Sequence, residues 1–203
     1  VRETVTVPEG VTTFRVTTAN EIGSSPENKV KVYVGNDEPT QVKDVNLAID
    51  PETGVAKLTW SPVTTGINGG YIGNITYNVV RYPDSTTVAT GLAATEFTET
   101  FSAEEPLQTY SYGVAAVNDT QTGVAGISNK SVFGAAIVPP YSEPLDNEGA
   151  LELYTIIDNN EDGSTWEFNE KEGAASYKYS RVNDGDDWLI TPAIQLKGGK
   201  LYS

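Results

Sequence analysis

Apolar and polar residues alternate with period two through most of the chain, and Gly, Pro, Asn and Asp interrupt the alternation. Nowhere do apolar positions hold a 3.6-residue spacing over several turns, so the pattern predicts strands joined by turns. Thr, Val, Tyr and Ile fill the alternating segments, and their branched or aromatic side chains fit a pleated surface. The expected fold class is all-β. In the middle of the chain the alternation predicts strands at 42–49, 56–60, 76–82, 86–89, 96–99, 110–118 and 124–133. Seven strands in about a hundred residues is the count and size of an immunoglobulin-like sandwich. Leu58 and Trp60 share a face of the second strand. Tyr77, Val79 and Arg81 alternate with Asn78, Val80 and Tyr82 on the third, and Tyr110, Tyr112, Val114 and Ala116 share a face of the sixth. Trp60, Tyr77, Val79, Tyr112 and Val114 are therefore the candidate core.

The segments on either side read as parts of domains. Phe14-Arg15-Val16-Thr17-Thr18-Ala19-Asn20 parallels Tyr112 to Asn118, and Ser24-Ser25-Pro26 precedes a further strand at 29–34. Residues 1–36 are thus expected to be the C-terminal part of a second copy of the middle domain, in tandem with it. Residues 40–138 form the complete domain, and 139–148 a Pro-rich linker, stiff and extended. Residues 149–203 supply about four further strands, opening near Leu151, Thr165, Ser176 and Trp188. About 36 residues cannot bury a sandwich core alone. The chain opens on Val1 and contains no methionine, which is the expectation for a piece of a longer protein. Incomplete ends with open strand edges invite self-association.

Particular residues carry two family resemblances. Trp60 followed by Ser61-Pro62 resembles the core tryptophan of fibronectin type III domains, and Tyr77 resembles their third-strand tyrosine. Leu107 and Tyr110, ahead of Tyr112-Gly113-Val114-Ala115-Ala116-Val117-Asn118, resemble the corner in which a tyrosine hydroxyl ties back to upstream backbone. The insertion at 64–73, rich in Gly and Asn, departs from that family by lengthening one loop. Near the C-terminus, Ile156-Ile157-Asp158-Asn159-Asn160-Glu161-Asp162-Gly163-Ser164-Thr165-Trp166 and Asp186-Asp187-Trp188-Leu189-Ile190-Thr191-Pro192-Ala193-Ile194-Gln195-Leu196, then Gly198-Gly199, form a second set. They resemble the opening of the cleaved-adhesin or choice-of-anchor jelly rolls of secreted Bacteroidetes-like surface proteins. This resemblance covers the last quarter of the chain. It implies a jelly roll of which only the N-terminal part is present, since that fold takes eight strands. It also implies an extracellular or outer-surface location.

Charge and composition narrow the function classes. Formal net charge is -15, from 28 acidic and 13 basic residues. A polyanion would be repelled, which argues against nucleic acid and against an anionic membrane surface as partners. No apolar run is long enough to span a membrane, so no direct insertion is expected. The absence of cysteine excludes disulfides and cysteine zinc sites; the absence of histidine excludes Ser-His-Asp and Cys-His constellations. The acidity reads first as solubility and second as carboxylates that hold a hard cation. Asp158, Asn160 and Asp162 with Gly163 follow the D-x-N-x-D-G spacing in which alternating oxygens aim at one ion and Gly permits the bend. The twelfth position is Asn169 and no helices flank the loop, so it is no EF-hand; the competing reading is a polar turn. Asp186 and Asp187 can add ligands from a neighbouring strand. The adhesin resemblance implies that such a site holds structural calcium, on Asp158, Asn160, Asp162 and Asp187. Trp166 and Trp188 read first as core residues, because Phe168 and Ile190 alternate with them, and second as a sugar-stacking surface. The carboxylate pairs Glu104-Glu105 and Asp184-Asp186 read as solvated surface. Sequons at Asn74, Asn118 and Asn129 are expected by chance in a chain so rich in Thr and Ser, and Asp84-Ser85-Thr86 resembles a short O-glycosylation motif.

The function expected from these residues is non-catalytic binding at a cell surface or in a secretion, to a glycan or an extracellular protein. Fibronectin type III modules would serve as spacers. The alternative is an accessory region of a secreted peptidase or glycoside hydrolase whose catalytic domain lies outside this chain. Fold analogy alone does not separate the two.

Overall fold

The computed structural model describes residues 4–178 and 180–202. In chain order the strands are β1 (Gly10–Val16), β2 (Ala19–Asn20), β3 (Gly23–Ser24), β4 (Asn28–Val34), β5 (Asn46–Ile49), β6 (Val55–Thr59), β7 (Thr76–Tyr82), β8 (Thr86–Leu92), β9 (Glu96–Thr100), β10 (Gln108–Val117), β11 (Gly126–Ile127) and β12 (Ser131–Phe133). One turn of 3-10 helix (Glu148–Leu151) precedes β13 (Thr155–Asp158), β14 (Trp166–Asn169), β15 (Ala174–Tyr177) and β16 (Asp187–Ile190). The chain is all-β as the alternation predicts, and among the described residues no helix is long and apolar enough to cross a membrane.

Strands β5, β6 and β9 form one sheet, in that order. Strands β8, β7, β10 and β11 form another, with β12 also on β10. First, second and fifth strands in one sheet, with third, fourth, sixth and seventh in the other, is the layout of an immunoglobulin-like sandwich. The predicted strands recur with three changes. The first begins at Asn46, because Asp44 takes a left-handed backbone (φ 54) that breaks an extended run. The last is split into β11 and β12. The segment expected to open a strand at Leu151 is the 3-10 turn, and extended structure resumes at Thr155.

By contact density the chain divides into one unit of residues 1–46, 58–97 and 112–128, and another of 47–57, 98–111 and 129–203. In the first, Leu58, Trp60, Tyr77, Val79, Tyr112, Val114 and Ala116 are buried, so all five candidate core residues lie inside. The rings of Trp60 and Tyr77 meet edge to face with centroids 5.3 Å apart, a favoured arrangement of ring quadrupoles. The Tyr77 hydroxyl accepts the Val63 N–H at 3.0 Å. Trp60 Nε1 is buried with no hydrogen-bond partner. The N-terminal hairpin pairs β1 with β4 in antiparallel register, Phe14 opposite Val30 and Thr12 opposite Val32.

In the second unit Phe101 stacks on Tyr110 at 4.0 Å and lies 6.2 Å from Phe133. Tyr110 is not the expected backbone-tethered corner. With its ring held against Phe101, its hydroxyl accepts from Gln108 Nε2, two residues back along β10, at 2.7 Å. Where β11 and β12 part, side chains replace the ladder. The Asn129 amide accepts the Leu47 N–H at 2.7 Å and donates to the Leu47 carbonyl at 2.9 Å.

Three substitutions separate these roles in urea unfolding. Trp60→Ala should lose about 3–5 kcal/mol, the range for large aromatic truncations. Trp60→Phe should lose distinctly less, because it also removes a buried N–H that has no acceptor. Tyr77→Phe strands the Val63 N–H and should cost about 1–3 kcal/mol, against about 0.5–1.5 kcal/mol for Tyr110→Phe, whose partner is a side chain. Equal losses for the two tyrosines would contradict this assignment.

Candidate functional site

Strands β13 and β16 pair antiparallel, with Ile156 opposite Leu189, Ile157 opposite Trp188 and Asp158 opposite Asp187. Side chains alternate between faces, so Asp158 and Asp187 stand side by side where the polar turn begins. The turn is built by its own carboxylates and amides, as short Asp and Asn side chains commonly do. Asp158 accepts the N–H groups of Asp162 at 3.2 Å and Gly163 at 2.8 Å. Asn160 Oδ1 accepts the Asp162 N–H at 3.3 Å, and Asp162 Oδ1 accepts the Ser164 N–H at 2.7 Å. Gly163 supplies the left-handed residue (φ 73) that the bend needs. The turn is laced to the segment before β16: Asn160 Nδ2 donates to the Asp184 carbonyl at 2.7 Å, and Asn159 Nδ2 to Asp186 Oδ2 at 2.6 Å.

Tyr177, at the end of β15, completes the cluster by donating its hydroxyl to Asp187 Oδ2 at 3.0 Å. That bond raises the phenol pKa, and burial and the negative fields of Asp187, Asp162 and Asp158 push the same way. Of the three carboxylates only Asp187 bonds this hydroxyl; Asp158 stands opposite Asp187 in the strand register, and Asp162 and Asn160 lie in the turn that follows. The Ser164 N–H is the main cause holding the Asp162 carboxyl below its ordinary range, against a smaller opposing effect of burial. Asp187 Oδ1 is buried and accepts no hydrogen bond. A cation would supply the partner this oxygen lacks, and each carboxylate oxygen on Asp158 has a lone pair left after its single amide. Among the described residues no three acidic side chains are already drawn together as a metal-holding group. Spacing within 158–163 shows the turn, but nothing local announces the role of Tyr177 or Asn159, whose partners Asp187 and Asp186 are distant in sequence.

The aromatic residues divide. Trp166, half-buried on β14, sits 5.8 Å from Tyr177 with its ring tilted by 53°. Trp188 is 59% exposed, not a core residue, and shares its strand face with the exposed Ile157 and Ile190. Alternation placed it correctly on an apolar face, but among the described residues no second layer covers that face. Trp166 and Phe168 instead line a cleft of about 640 Å³ with Tyr154, Ile156, Leu151 and polar groups including Glu148, Glu152, Glu167, Lys130 and Asn129. Small-ligand sites have this size range and this mix of aromatic wall and few polar groups.

The remaining motifs have structural uses. Asp84 accepts Arg81 Nη2 at 2.7 Å and the Thr86 hydroxyl at 2.6 Å, closing the β7–β8 turn. Asn118 is buried, and Asn129 is held on Leu47; Asn74 is exposed. Glu104, Glu105, Asp184 and Asp186 are exposed, as expected.

No protein-family model matches the chain, and no curated protein matches it. Among solved structures it is similar to a Fn3-like protein from Clostridium thermocellum, 24% identical over 51% of this chain and 97% of that one, with a TM-score of 0.35. It is also similar to rat CD45 extracellular domains d3-d4, at 13% identity over 64% of this chain and 68% of that one, TM-score 0.40. Chicken CNTN1 FN1-FN3 domains match at 18% identity over 89% of this chain and 66% of that one, TM-score 0.38. The fold assignment rests on the strand order.

Because the Asp162 pKa is depressed, its contribution to the turn is fully present above the ordinary carboxylate value, about 3.9, and is lost as pH falls through the lower folded-state value. Amide exchange at Ser164, corrected for intrinsic pH dependence, should therefore lose protection only on acidification below about pH 4. In Asp162→Ala the protection should already be absent at neutral pH. Identical profiles for the two proteins would remove the carboxylate from the account.

Proposed function

We propose that the chain is a non-catalytic binding segment of an extracellular or cell-surface protein. Its fibronectin-like module acts as a spacer, and its C-terminal strands carry a glycan-binding function. The observation that carries this reading is the cleft walled by Trp166, Tyr154 and Phe168 beside carboxylate and amide groups. Aromatic faces pack on the apolar faces of sugar rings, while carboxylates and amides take the hydroxyls. The acidic balance favours neutral or cationic ligands over anionic ones. A glycan array probed with the full chain should return neutral glycans, and Trp166→Ala should abolish their binding while leaving the Trp60 environment intact by near-ultraviolet circular dichroism. An empty array, or binding that survives both Trp166→Ala and Tyr154→Ala, contradicts the proposal.

The turn at 158–163 would hold structural calcium through Asp158, Asp162 and Asp187, with the Asn160 carbonyl oxygen. The orphaned Asp187 Oδ1 supports this. Calcium binds oxygen ligands, and a ligand bound only by the native state raises melting temperature. After chelation, calcium added alone should raise the melting temperature of the full chain and should do so less in Asp187→Asn. A flat titration across micromolar to millimolar calcium would leave the turn as a purely hydrogen-bonded one, in which Asp158→Ala lowers the melting temperature equally with and without calcium.

A further inference from the structure

The inserted segment at 64–73 contains four glycines, Gly66, Gly69, Gly70 and Gly73, and left to itself it would have a large conformational entropy to lose. Here it runs beside residues 36–40, the stretch that joins β4 to the rest of the chain. The Asp37 N–H donates to the Tyr71 carbonyl at 2.7 Å, the Ile67 N–H to the Glu38 carbonyl at 2.9 Å, and the Thr40 N–H to the Thr65 carbonyl at 3.1 Å. Asn36 bridges Tyr71, and Pro39 bridges Gly66.

At the centre is Asp37, fully buried. Its Oδ2 accepts the N–H groups of Asn68 at 2.8 Å and Gly70 at 2.9 Å, and its Oδ1 accepts Asn68 Nδ2 at 2.9 Å. A buried carboxylate is tolerated only when such donors converge on it. Burial pushes its pKa up, and these bonds outweigh that and hold it below the ordinary range. These three donors belong to the inserted loop, whereas the carboxylate, and the Glu38 N–H that also favours its charged form, belong to the connecting stretch. From a third element, Asn118 Nδ2, just past β10, donates to the Asp37 carbonyl at 2.9 Å.

The hairpin is tied to the same centre. β4 ends at Val34, and only Gly35 separates it from the bridge at Asn36. Tyr33 of β4 lies so close over Gly70 that a methyl group there would come within 2.8 Å of its ring. At Gly66 a methyl group would run into the Asp37 carboxylate itself.

We propose that the insertion is an intramolecular clamp. By closing around the Asp37 carboxylate and under Tyr33, it turns the stretch at 36–40 into a fixed joint that holds the β1–β4 hairpin at one angle to β7 and β10. This goes beyond ligand binding and does not depend on it, so the two readings fail separately.

Residual dipolar couplings on the full chain test the joint. In the wild type, N–H vectors of residues 10–34 and of β7 and β10 should fit one alignment tensor. In Asp37→Ala, and in a variant lacking residues 66–70, the hairpin should take its own weaker tensor while β7 and β10 keep theirs. Exchange at the Gly70 amide should speed up about tenfold or more in Asp37→Ala, the effect of losing a hydrogen bond to a charged acceptor. Should Asp37→Ala unfold the module, the wild-type couplings and the loop deletion carry the test. A hairpin that aligns independently in the wild type, or one that stays aligned after deletion of 66–70, overturns the proposal.

Discussion

A chain without cysteine, and with no α-helix among its described residues, has to satisfy each buried backbone group by strand pairing or by a side chain placed where pairing stops. That constraint recurs at several irregular points of this molecule. Where β11 and β12 part, Asn129 takes up both polar groups of Leu47, and Ser128 Oγ accepts the Tyr112 N–H. Where the loop after β6 turns inward, the Tyr77 hydroxyl takes the Val63 amide. Where β13 ends, Asp158 and Asp162 gather the amides of their own turn. Asp37 does the same for a ten-residue insertion. Polar side chains that look like surface residues in the sequence thus work as substitutes for missing strand partners.

The regular part of the fold was legible because period-two burial leaves a local mark. Trp60, Tyr77, Val79, Tyr112 and Val114 hold alternate positions on their strands, and all are buried. What escaped was set by side-chain contacts that alternation does not encode. Tyr110 lies where a backbone-tethered corner was expected, yet its ring meets Phe101 and its hydroxyl meets Gln108. Neither preference is written in the residues beside it. The interruption at 128–130 depends on Leu47 and Tyr112, both more than a dozen residues away.

In the C-terminal segment the motif showed the polar turn, and the register placed Asp187 opposite Asp158. Tyr177, which donates to Asp187, carries no signal of its own: it is one strand tyrosine among several. Trp188 shows the reverse failure. Alternation locates an apolar face but cannot say whether a second layer covers it.

The close approaches also bear on how this sequence can drift. At Gly123 any side chain would meet the Pro39 carbonyl, and at Gly126 the Val42 carbonyl. Both obstacles are backbone, which cannot swing aside as a flexible side chain can. Gly69 faces open space, though its positive φ of 72 still favours glycine or asparagine. In descendants of this chain, substitutions at Gly123 or Gly126 should appear only alongside a rearranged backbone at Pro39 or Val42 respectively. Asn at Gly69 could be fixed alone.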